Sequence, residues 1–340
     1  MGLLDFFTRR KQPLEPSLLT PERLDAAIEA VVDRVNARLR LASDYKAKLG
    51  PAIEQFVRWA REEVARLPAA HRATPEDWVT DAELHALFAT AGDLVKLVSR
   101  TPQLKAFFRE HASADRAFGL LGMSVETRQV FGSELQGEVV RQDVAQQTVS
   151  FGDHRINVVA ADEPALHAAL VLALGEQVLI EALAEIDVAQ VRMKRLRDER
   201  SLLASQLRVL QSRRGAGALW SEAQQQESVA AAKAALEAHD QELRAAHGAG
   251  GGLEQQLEVL TRLLADPQRA IRFELRTVRL NRMNVIVPEG STESSAEIRY
   301  VFVSAGAVKP RSGAIALLEI PRPALRKVES RVDEAARSLG

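Results

Sequence analysis

A chain of 340 residues with 46% hydrophobic and 27% charged content can bury a substantial core, and it is not a disordered polymer. Its 45 basic and 46 acidic side chains leave a formal net charge of -1, so no global field draws it to nucleic acid or anionic lipid, and either contact needs a local patch. With no cysteine, disulfides and thiolate metal sites are excluded, and a reducing compartment is compatible.

In the first eleven residues Leu3, Leu4, Phe6 and Phe7 stand beside Arg9, Arg10 and Lys11. Such a segment can lie in a membrane interface, with its apolar side chains at the acyl boundary and its cations on anionic headgroups. The Leu-Leu-Asp-Phe-Phe run followed by basic residues resembles the N-terminal membrane-targeting segment of the bacterial cell-division topological factor MinE. The resemblance covers residues 1–11 alone, and it implies a shared way of touching a membrane rather than a shared function. The cations follow the apolar residues instead of preceding them, which is not the order of a secretory signal. Phe6 stands where a myristoylation signal wants serine or threonine. No window approaches the ~18–20 apolar residues of a spanning helix.

Residues 12–19, with Pro13 and Pro16, read as a tether, and residues 20–112 as a helical module. Thr20-Pro21-Glu22 gives a cap, a proline at the first helical position and an acid in the first turn. The helix it starts carries Leu24, Ile28, Val31, Val32, Val35 and Leu39 on one face and is expected to end near Gly50-Pro51. A second helix runs to about Leu67, and Thr80 is expected to cap another containing Leu84, Leu87 and Phe88. Residues 113–163 form the first part of a β-containing head. Thr148–Phe151 and Arg155–Ala160 are strand-like, and Gly152-Asp153-His154 between them predicts a hairpin turn.

No proline occurs between Pro164 and Pro267, which permits uninterrupted helices over residues 164–265. A spacing of three and four picks out Leu179, Leu183, Ile186, Ala189, Met193, Leu196, Arg200, Leu203, Leu207 and Leu210, then Val229, Ala232, Leu236, His239, Leu243, Ala246, Gly250, Leu253, Leu257, Leu260 and Leu264. That is the pattern of an antiparallel coiled-coil hairpin with its tip at 213–217, where Arg213 and Arg214 make a basic point. The glycines between Gly248 and Gly252 predict a hinge in the returning arm.

Residues 266–320 return to strands, with two slips of alternation between Ile271 and Val287 that predict bulges or a tight turn. Residues 321–340 read as a C-terminal helix. The expected fold is therefore α+β and mostly helical: an N-terminal helical module, a mixed β head, and the long hairpin inserted between the β segments.

Arg269, Arg272, Arg276, Arg279 and Arg282 punctuate the first returning strand and suggest a cationic ribbon able to hold phosphates. Aromatic interleaving there is poor. The seven histidines show no HExxH and no facial-triad spacing, and the Asp81/His85 and Glu163/His167 pairs fit ordinary helix-surface pairing. His239 falls in the seam, where it sets register. The glycine cluster before Leu253 lacks the Lys-Ser/Thr of a phosphate loop, and no GxSxG serine is present. No catalytic residue, metal ligand or cofactor site is therefore expected. The reading is a cytoplasmic, non-catalytic interaction or scaffold protein with a coiled-coil arm, touching the inner membrane face through its first residues and holding an unidentified protein partner. Its rivals are a nucleic-acid-associated protein using the arginine strand and the tip, an enzyme with a site scattered over the head, and a homo-oligomer that uses the seam between chains.

Overall fold

The computed structural model describes residues 19–136, 139–212, 222–250, 252–291 and 293–325. In chain order the elements are α1 (Pro21–Val35), α2 (Tyr45–Ala65), β1 (His71–Arg72), α3 (Pro75–Thr80), α4 (Ala82–Leu87), α5 (Ala91–Arg100), α6 (Pro102–Glu110), β2 (Arg116–Gln136), β3 (Val139–Ala160), α7 (Glu163–Ser212), α8 (Glu222–Gly250), α9 (Leu253–Ala265), β4 (Ile271–Leu280), β5 (Ala296–Ala305) and β6 (Arg311–Pro321). Among the described residues helix accounts for 58% and strand for 25%, so the fold is α+β and mostly helical. It divides into two compact units, Met1–Arg58 with Glu176–Pro267, and Trp59–Gly175 with Gln268–Gly340. The helical module expected over residues 20–112 is thus shared between the units. The basic tip at 213–217, the segment 1–11, the tether before Leu19 and most of the expected C-terminal helix lie outside the described residues.

In the first unit Thr20 caps α1 as its sequence predicts, its Oγ1 accepting from the Arg23 N–H. The helix ends at Val35, not near Gly50-Pro51. Asn36 adopts an extended backbone, and its side chain accepts from the Arg38 N–H to start a 3-10 turn over Ala37–Leu41. Such local side-chain bonding offers the backbone an alternative to helix. Gly50 and Pro51, expected to break the chain, lie inside α2. A Cβ at Gly50 would touch Leu24 and Ile28 at 3.8 and 3.9 Å, so the glycine sits where α1 crosses α2.

The same region clasps the start of α9. Glu254 accepts from the Ser43 N–H at 2.6 Å and from Lys48 Nζ at 3.0 Å, and Asn36 Nδ2 donates to Gln256 Oε1 at 2.8 Å. The Ser43 and Lys48 bonds hold the Glu254 carboxyl below its usual range. Arg34 reaches Glu176 on α7 at 2.8 Å. The buried apolar residues of this unit include Ile28, Val32, Leu39, Leu49, Ile53, Val178, Ile186, Leu257, Leu260 and Leu264. Between α8 and α9 the helix is interrupted at the glycine cluster, and Gly252 takes an extended backbone at the N-cap of α9.

The second unit is built on one six-stranded sheet in the order β3-β2-β6-β5-β4, with β1 paired in parallel to β6 at His71↔Leu318. All other pairings are antiparallel. Strands from before α7 and from after α9 therefore join in one body. The edges of the path meet as well. Thr148 of β3 bridges Val285, and Leu280 of β4 bridges Ile286, so the 284–287 segment touches both edge strands. One face of the sheet carries Leu84, Leu87, Phe88, Leu94, Val98, Leu104 and Phe108 from α4, α5 and α6, packed with Leu121, Met123, Ile156, Tyr300 and Leu318. On the other face Val64 of α2 and Leu166 and Leu170 of α7 pack with Phe118, Ala160 and Leu317.

Three expectations are corrected in this unit. Asp81, not Thr80, caps α4, its Oδ1 accepting from the Leu84 N–H at 3.0 Å, while Thr80 closes α3 behind the cap at Thr74. Gly152-Asp153-His154 is no turn: it lies within β3, whose pairing with β2 runs on to Gln136↔Val139. There the register steps from Gly122↔Arg155 to Ser124↔Gly152, so Asp153 and His154 together oppose Met123 in a β-bulge. Asp153 has φ 52, a left-handed conformation that aspartate tolerates better than most residues. Finally, β4 pairs residue for residue with β5 over Ile271–Leu280, without a bulge. The second slip of alternation is real and is the tight turn at 281–284, where Asn284 has φ 57.

Candidate functional site

Most of the seam positions read from the sequence are shielded in α7, α8 and α9. On α7, Leu179, Ile186, Met193 and Leu196 are buried, and Ala189, Leu203, Leu207 and Leu210 are half-buried. Arg200, the polar member, is exposed, and so is Leu183, while Ala182 beside it is fully buried. On the return, Val229, Ala232, Leu236, His239 and Leu243 are half-buried, and Leu257, Leu260 and Leu264 are buried. The side chains of Ala246 and Gly250 lie outside the described residues.

Polar contacts join the same helices. His239 Nε2 donates to the Leu196 carbonyl at 2.9 Å, Arg200 pairs with Asp240 at 2.5 Å, and Arg262 pairs with Glu185 at 2.6 Å. Arg192 lies 3.8 Å from Glu242. The bond from Arg200 holds the Asp240 carboxyl below its ordinary range, and Asp240 in turn raises the guanidinium.

The arginines expected to form a cationic ribbon do not share a face. Along β4 side chains alternate, so Arg272 and Arg276 point to one side of the sheet and Arg279 to the other, while Arg269 lies in the 3-10 turn before the strand and Arg282 in the turn after it. Arg276 is also engaged, pairing with Glu274 at 2.7 Å with its guanidinium 3.6 Å from the Phe302 ring centroid. Arg279 donates to Ser295 Oγ at 3.0 Å.

One polar cluster has no sequence signature. His71 Nδ1 lies 2.7 Å from Asp81 Oδ2 and its Nε2 lies 3.5 Å from Glu83 Oε2, while Arg299 Nε donates to Glu83 Oε1 at 3.0 Å. Burial pushes the Asp81 carboxyl up, but the His71 bond and the Leu84 N–H outweigh it and hold the group below its usual range. Both imidazole nitrogens face carboxylates, and Glu83 is shared with Arg299. The cluster ties β1, the start of α4 and β5 together. His154, placed by the bulge, donates from Nε2 to the Leu87 carbonyl at 2.7 Å and stacks on Phe88. Burial lowers its pKa. An open groove of about 430 Å³ runs between Gln103, Phe107 and Glu110 of α6 and the Val159–Ala165 stretch.

Among the described residues, no group of three or more histidine and carboxylate side chains could hold a metal ion, and no helix is long and apolar enough to cross a membrane. Comparison of the chain with protein-family models, with curated proteins and with solved structures finds no match.

Proposed function

We propose that the chain is a non-catalytic interaction protein whose α7 and α8–α9 helices fold back on each other as an antiparallel coiled-coil arm. The observation that carries this reading is the set of contacts between the helices. From 185 through 192 to 196 on the outgoing helix the partners fall from 262 through 242 to 239 on the return, and Arg200, one turn further, meets Asp240 beside that last contact. The shielding of the heptad positions on both helices supports the same arrangement. The segment around α1 and α2 holds the base of the arm, with Ser43 and Lys48 on Glu254 and Arg34 on Glu176.

The arm presents a partner-binding surface, with Arg213 and Arg214 at its far end, and residues 2–11 bring the chain to an anionic membrane surface. A photo-crosslinking side chain at Arg213, with a control at Arg311 in the sheet unit, tests the first part in the native cell. Adducts from the arm position support the reading, and adducts confined to the control contradict it. Co-sedimentation with vesicles of anionic and of neutral lipid tests the second. The full chain is expected to pellet with the anionic vesicles and a chain lacking residues 1–11 is not; equal recovery of both removes the membrane role.

A further inference from the structure

The outgoing helix of the arm carries a second apolar stripe, turned away from the first. Val188, Val191, Leu202 and Val209 of α7 are 51, 61, 60 and 51% exposed. At 100° per residue they fall within one sector of about 60°, roughly opposite the seam through Met193 and Leu196. Ile180, at 47% exposure, continues the stripe toward the base.

The spacing of this face is symmetric. From Ala184 to Val209 it steps by four, three, four, three, four, three and four, through Val188, Val191, Arg195, Asp198, Leu202 and Ser205. A sequence of steps that reads the same in both directions suits two identical helices lying antiparallel about a two-fold axis. The axis falls between Arg195 and Asp198. Each Arg195 then faces the other copy's Asp198, Val191 faces Leu202, and the small Ala184 faces Val209. Asp198 is exposed and pairs with no cation among the described residues, whereas Arg195 is held within its own helix by Glu199 at 2.7 Å.

We infer that this face of α7 is a self-association surface, and that its occupant is the same face of a second copy, antiparallel, with two Arg195–Asp198 pairs at its centre. The inference rests on the arm reading, because α8 must occupy the opposite side of α7. A face whose centre is charged and whose contact is about 40 Å long associates weakly and reversibly, so dimer forms as concentration rises. Opposite charges at the centre fix the register and reject a shifted or parallel pairing.

Sedimentation of the full chain from about 1 to about 200 µM, the range in which weak contacts of this kind assemble, tests the inference. A monomer–dimer equilibrium is expected. V191E with L202E, both at solvent-facing positions, is expected to weaken it at least ~10-fold while helix content is kept. R195D alone and D198R alone each place like charges at the centre and are expected to weaken it ~10-fold, and R195D/D198R together to return it to within ~3-fold of the parent. A chain that stays monomeric throughout, or a dimer indifferent to the swaps, overturns the inference. Distance measurements within one chain, diluted into unlabelled protein, report on the fold of the arm separately. A monomer with a closed arm sinks only the dimer, and a dimer with open arms sinks the arm reading itself.

Discussion

His239 Nε2 donates to the Leu196 carbonyl across 2.9 Å, a side chain of α8 bonded to the backbone of α7. A carbonyl only accepts, so the imidazole carries its proton on Nε2. The bond fixes which turn of one helix lies beside which turn of the other, a role that a leucine at the same seam position could not fill.

Replacing His239 tests that role. His239→Ala removes the bond and the shielded ring together and is expected to cost about 1–2 kcal/mol in denaturant unfolding. His239→Gln keeps a donor and is expected to lose less than about 1 kcal/mol. Equal losses for the two would mean that ring packing alone matters.

Arg322 closes the end of α6. Its guanidinium donates to the carbonyls of Ala114 at 2.7 Å, His111 at 2.7 Å and Phe108 at 3.3 Å, and stands 4.9 Å from the Phe108 ring centroid. Arg322→Ala is expected to cost about 2–3 kcal/mol, since last-turn carbonyls lose a charged donor. Arg322→Lys recovers little, because a point charge cannot reproduce the fork. Thermal melting of the two variants beside the parent checks both statements.

Gly313 lies in β6 opposite Val303, and a Cβ there would come within 2.6 Å of the Met123 carbonyl. The obstacle is backbone, which cannot turn aside. Gly313→Ala is expected to destabilise by about 1–3 kcal/mol, read by denaturant midpoint, whereas Gly252→Ala, where nothing lies within 4 Å, carries no such clash.

His154 makes stability depend on pH. Its pKa is lowered in the fold, mainly by burial, so the native chain holds it neutral, while the unfolded chain binds a proton at about 6.5. The unfolded state therefore binds more protons just below that value. This contribution is complete above pH ~6.5 and is lost as pH falls toward the folded pKa. Asp93 and Asp153, the charges facing it, oppose the shift without reversing it. His154→Gln keeps a donor for the Leu87 carbonyl and is expected to flatten the decline in unfolding free energy between pH 7 and pH 5, a range set by the ~6.5 reference. An unchanged slope would place the titration elsewhere.

The helices were legible where chemistry is local. Thr20-Pro21-Glu22 marks a helix start, the proline-free stretch permits α7 and α8, and the three-four spacing picks out most of their shielded positions, though not Leu183 or Arg200. Local signals also misled. Gly152-Asp153-His154 has the composition of a turn, but the pairing of β2 with β3 on both sides of it absorbs those residues as a bulge. Gly50-Pro51 reads as a break, yet Asn36 stops the helix sooner. The arginines of β4 form no ribbon, because alternation along the strand sets Arg272 and Arg276 on one side and Arg279 on the other. The His71–Asp81–Glu83–Arg299 cluster could not be read at all, since Glu83 and Arg299 meet across 216 positions of sequence and only the sheet brings them together.

The most direct test of the arm is the distance between spin labels at Ser201 on α7 and Glu237 on α8, which the absence of native cysteine makes simple to place. If the helices fold back as proposed, labelled chains diluted into unlabelled protein give a separation within about 20 Å, two side chains on neighbouring helices. A single continuous helix over the same 36 residues would give about 54 Å. A distance near that longer value would contradict the arm.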